Sequence, residues 1–85
     1  MPKPLAPKIT DLQRRITHAR ALRVEAMRRG AKATVDALDV EILRLGTAYR
    51  AASRKAIDRH DVPALRLLSG PEAAQALREA TGARA

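Results

Sequence analysis

From Val35 onward, apolar side chains recur at Leu38, Ile42, Leu45, Tyr49, Ala52 and Ala56, at spacings that alternate between three and four residues. A strand would put these residues on both of its faces, whereas an α-helix gathers them into one stripe. Heptad spacing kept over three repeats predicts a long helix seated along another helix. Thr34 is placed to cap its N-terminus, with Asp36 in the first turn, where the helix dipole favours negative charge.

The partner lies upstream. Leu12, Ile16, Ala19, Arg23 and Ala26 form a second stripe, opened by Thr10 with Gln13 as its capping-box residue and closed by Gly30, where a left-handed backbone is cheap. Continued through the turn, this stripe would fall next on Gly30 and Ala33, but the following one restarts at Ala31 and Val35. The break in register separates two helices and excludes a single rod. Folding the chain back at Gly30 stacks Ala26 with Val35, Arg23 with Leu38, Ala19 with Ile42, Ile16 with Leu45, Leu12 with Tyr49 and Ile9 with Ala52. Small residues thereby tend to meet large ones, as facing layers require. The same alignment sets Arg20 across from Asp39 as an interhelical ion pair.

The expected fold is all-α: a long, coiled-coil-like antiparallel two-helix hairpin over residues 10–60, with its turn near 30–33. Residues 1–9 hold three prolines and read as an extended basic arm. Over residues 61–85, Asp61 and Pro63 suit the start of one short helix carrying Leu65 and Leu68. Ser69 and Glu72 are spaced as the capping box of another, with Ala73, Ala74, Leu77 and Ala80 on one face. The helix-packing residues are thus Leu12, Ile16, Val35, Leu38, Ile42, Leu45 and Tyr49.

Composition limits how well such a chain stands alone. Of 85 residues 46% are hydrophobic, but 18 of these are alanine, there is no Phe or Trp, and there is one Tyr. Alanine buries little area, and a single core is marginal at this length, so a protein partner or a second copy is expected. Gly46, with Ala37, Val40, Ala48 and Ala51, lies outside the main stripe of the second helix and leaves small residues for another helix to approach. Cysteine is absent, which removes disulfides, thiolate zinc sites and a cysteine nucleophile. The first ten residues lack the apolar stretch of a secretory signal, and no run is long enough to span a membrane. A soluble intracellular chain, or part of a large assembly, is expected.

Nothing in the sequence assembles catalytic chemistry. The nine acids are dispersed, and no phosphate loop, serine elbow or HExxH occurs. His18 and His60 would lie on the order of 25 Å apart along the hairpin. A non-enzyme without cofactor, metal or small-molecule substrate is expected. The net charge of +8 is uneven: residues 1–33 carry nine Lys/Arg against Asp11 and Glu25, giving +7, while residues 34–62 balance. Lys3, Lys8, Arg14, Arg15, Arg28, Arg29 and Lys32 are therefore the candidates for contact with an acidic partner or with nucleic acid. At the turn, capping by Gly30 and Thr34 and compensation of the carbonyl end of the first helix account for Arg28, Arg29 and Lys32 without any ligand. Arg23, in the middle of an apolar stripe, calls for a carboxylate or a path to solvent.

Two functions follow as expectations. The first is a non-enzymatic helical adaptor or assembly component that packs against itself or a larger protein complex, its basic arm and first helix facing an acidic partner. The second is a duplex nucleic-acid binder making sequence-independent phosphate contacts; the lack of aromatic residues disfavours single strands, and long antiparallel helices disfavour a helix-turn-helix. Membrane-surface binding is disfavoured, because the first helix lacks aromatic anchors and its apolar stripe already has a partner.

Overall fold

Two long helices, α1 (Ala6–Arg28) and α2 (Lys32–Arg59), run antiparallel along each other, followed by the short α3 (Val62–Leu65) and by α4 (Pro71–Thr81). This computed structural model describes residues 3–82, and no strand occurs among them. The protein is an all-α helical hairpin with short C-terminal helices folded against it.

Helix α1 begins four residues earlier than Thr10. Leu5 already has helical dihedrals and its carbonyl accepts from the Ile9 amide at 2.9 Å. Pro7 falls in the first turn, where its missing N–H would have had no partner. Burial supplies the reason for the early start: Leu5 and Ile9 both enter the core, Ile9 with no exposed surface at all. The extended arm expected over 1–9 is corrected accordingly; its residues 1 and 2, like 83–85 of the expected tail, lie outside the described residues. Thr10 sits inside the helix and caps nothing. Gln13, freed from a capping box, donates to the Tyr49 hydroxyl at 3.3 Å and to the Leu67 carbonyl at 3.0 Å.

The hairpin turn spans three residues, Arg29 to Ala31. Ala31 N–H donates to the Ala26 carbonyl at 2.9 Å and Gly30 N–H to that of Met27 at 3.1 Å, a Schellman arrangement that requires the positive φ of Gly30, 68°. The turn closes so tightly that α2 starts at Lys32. The Val35 amide takes the Ala31 carbonyl at 3.0 Å, and Thr34, expected as the cap, is an exposed residue of the first turn. The same pair of bonds ends α2, from Asp61 to Ala56 and from His60 to Ile57, with His60 in the left-handed position at φ 50°. Asp61 then caps α3 by accepting from the Ala64 amide at 3.3 Å. In α4, Gly70 is the N-cap and Pro71 the first helical residue, so Ser69 lies one residue outside the cap and forms no capping box; Glu72 pairs instead with Arg54 at 2.7 Å.

The core lies at the open end of the hairpin. Leu5, just before α1, and Ile9, Leu12 and Ala19 of α1 meet Leu45, Ala52 and Ala56 of α2, and α3 and α4 close over them with Ala64, Leu65, Ala73 and Ala76. Ile16, Leu38, Ile42 and Tyr49 are half-buried against this cluster. Val35 is half-buried outside it. Toward the turn only Ala26 is fully enclosed. The molecule measures 53 × 30 × 15 Å with a radius of gyration of 16.0 Å, against about 12 Å for a compact chain of this length.

Candidate functional site

Arg23 resolves the first question of charge. Its guanidinium leans from the seam to the carboxylate of Asp39 on α2, with both side chains partly exposed. Arg20, expected as the partner of Asp39, lies nearer the open end around a shallow hollow shared with Gly46, Tyr49 and Arg50. Because Arg23 sits on the side of α1 that faces α2, its reach to Asp39 is the shorter one.

The seven basic candidates do not converge. Lys3, Lys8 and Arg14 are exposed along the first part of the chain, and Arg15 is held by Asp11 one turn before it at 3.1 Å. Arg28, Arg29 and Lys32 surround Gly30 at the tip, all exposed and in none of the described ion pairs. Twenty helical residues separate Lys8 from Arg28, which is about 30 Å of rise. Two basic regions therefore exist, one at each end of α1. At the tip, the N-terminus of α2 has no side-chain cap.

The tip half also carries most of the exposed apolar surface. Among the described residues six large hydrophobic side chains are exposed, and five of them, Leu22, Val24 and Met27 of α1 with Val40 and Leu43 of α2, belong to it. At the open end α3 and α4 add a further layer, whereas toward the tip the hairpin has only its two helices and these side chains face solvent. Leu43 was not singled out in the sequence, because it is neither in the buried stripe nor among the small residues beside it. Its signal is the spacing Asp36, Val40, Leu43, Thr47, a weaker heptad on the opposite side of α2.

His18, on α1, and His60, just past the end of α2, are both exposed. Among the described residues no group of three His, Cys, Asp or Glu could hold a metal ion, and no polar or charged side chain is buried. A surface cleft of about 570 Å³ between the end of α2 and α4 is lined in part by Asp58, His60, Glu72 and Glu79. Glu72 raises the pKa of Arg54 by its hydrogen bond and its charge, with no effect near neutrality because arginine is protonated there in any case. No described helix is long and apolar enough to cross a membrane. Comparison with family models, with curated proteins and with solved structures gave no match.

Proposed function

We propose that this protein is a non-enzymatic helical adaptor or assembly component that binds protein through the tip half of its hairpin. The observation that carries the reading is the exposure of Leu22 on one flank of α1 and of Val24 and Met27 on the other, on a helix whose surface is otherwise mainly basic. Apolar anchors set among cations fit an acidic amphipathic segment, since the apolar side chains supply contact area and the charges steer approach. Arg20, Arg28 and Arg29, all exposed, lie within or just beyond the same stretch of chain. Photo-cross-linking from Leu22 and Met27 in the native host is the test. Protein adducts at these positions, absent from a probe at Arg66 on the far end, support the reading; equal labelling at all three would sink it.

A second reading, contact with the phosphates of duplex nucleic acid, draws on Arg28, Arg29 and Lys32, which stand clear of ion pairs around the uncapped start of α2. Duplex binding whose log affinity falls with log salt, with a slope flattened by about 0.9 for each tip cation replaced by glutamine, would favour it. Salt-independent or undetectable binding would remove it.

A further inference from the structure

Helix α2 carries two seams, and the single chain fills one. On the side turned away from α1, Ala33, Ala37, Val40, Thr47 and Ala51 repeat at spacings of three, four and seven, with Leu43 beside them. All six are exposed. Val40 and Leu43 are 59% and 67% exposed, more than any other large apolar side chain described, and they lie one helical turn apart.

We propose that a second copy of this chain covers this face, the two α2 helices packing antiparallel about a two-fold axis between Val40 and Leu43. The inference rests on the protein-binding reading above and assigns the occupant of one surface. Charge selects a copy of the same chain. Asp36 precedes the apolar pair and Arg44 and Arg50 follow it; all three are exposed, and among the described residues none is in an ion pair, Arg50 hydrogen-bonding the Thr47 hydroxyl at 3.4 Å. When Val40 lies on Leu43 of the second copy, Asp36 falls opposite Thr47, with Arg44 and Arg50 one turn to either side. Two-fold symmetry then forms the same acid–base set at the other end. A parallel pair would instead put Asp36 on Asp36 and Arg44 on Arg44. The face is thus self-complementary in one orientation only.

Surface area agrees. The chain exposes 6278 Å², whereas a compact monomer of its mass exposes about 5000 Å². The excess is larger than the roughly 800 Å² that each partner contributes to a standard interface. The alanines and Thr47 let the second helix approach closely, as short side chains at a helix contact do.

Sedimentation equilibrium of the full chain tests this. The expected mass is twice the 9.3 kDa of one chain. Leu43→Glu should sediment as a monomer with its helical circular dichroism unchanged, because Leu43 is free of the single-chain core. Asp36→Arg should weaken association by about tenfold or more, and adding Arg44→Asp and Arg50→Asp to that variant should restore it. A native chain that stays monomeric at high micromolar concentration overturns the proposal, as does a dimer that survives Leu43→Glu or ignores Asp36→Arg. A monomer that still forms protein adducts at Leu22 and Met27 overturns self-pairing alone and leaves the adaptor reading standing. A dimer sensitive to these changes, in a chain without such adducts, supports self-pairing while the adaptor reading fails.

Discussion

Arg23 of α1 donates through Nε to Oδ1 of Asp39 on α2 and through Nη1 to the sulfur of Met27 at 3.2 Å, tying the two helices together at the level where the core has ended. Partial exposure of both charges limits what the pair contributes. Alanine at either position should cost about 0.5–1 kcal/mol, with a coupling in the double-mutant cycle of the same order that shrinks as salt is raised. Urea denaturation at low and high ionic strength measures it. No coupling at low salt would mean that the contact is not held in solution.

Gln13 joins three elements at once, from α1 to Tyr49 on α2 and to the carbonyl of Leu67 beyond α3. Gln13→Ala should lose about 1–2 kcal/mol. Amide hydrogen exchange should rise most around residues 64–68, because the carbonyl at Leu67 loses the side chain that clasps it. A uniform rise along α1 would instead assign Gln13 to the helix alone.

Ile9 has no exposed surface, and Leu22 is 39% exposed. Ile9→Ala should therefore destabilise by about 2–5 kcal/mol, while Leu22→Ala stays within about 0.5 kcal/mol. Thermal unfolding distinguishes them. If Ile9→Ala were silent, the first helix would not start before Thr10.

Two glycine exchanges should stabilise in opposite senses of substitution. A Cβ on Gly46 would meet only the tip of Arg50, at 3.5 Å, so Gly46→Ala should add about 1 kcal/mol by helix propensity. His60 holds a left-handed backbone, and His60→Gly should add about 1 kcal/mol by removing the cost of a Cβ there. Both should raise the melting temperature. A fall for Gly46→Ala would reveal close approach by another helix at that point.

The hairpin was legible in the sequence because period alone decides it: Leu38, Ile42, Leu45 and Tyr49 can share a face in no other regular structure. Helix ends were read less well. Thr10, Thr34 and Ser69 have capping side chains, but where a helix starts is decided by what the neighbouring backbone can bury or close. Leu5 and Ile9 pull α1 backward into the core, and the tight turn at Gly30 brings α2 forward to Lys32. The charge pairing slipped for a related reason: facing rows can be counted from sequence, but the lean of a long arginine across them cannot, and Arg23 replaced Arg20. Of the candidate surfaces, the basic residues could be listed, yet their division between two ends follows only once α1 is known to be one straight helix. Exposure of Leu43 required knowing which side of α2 is taken by α1.

The concentration of the core at the open end separates the contacts that are quick to make from those that reward the chain most. A hairpin zips most readily from its turn, since closing the short loop at Gly30 costs little entropy. There, however, only Ala26 is enclosed. The apolar gain comes when Ile9 finds Ala52 and Leu65, residues far apart along the chain. Folding should therefore be slower than a two-helix protein of this size would suggest, with a transition state that already contains α3 docked against both long helices at the open end.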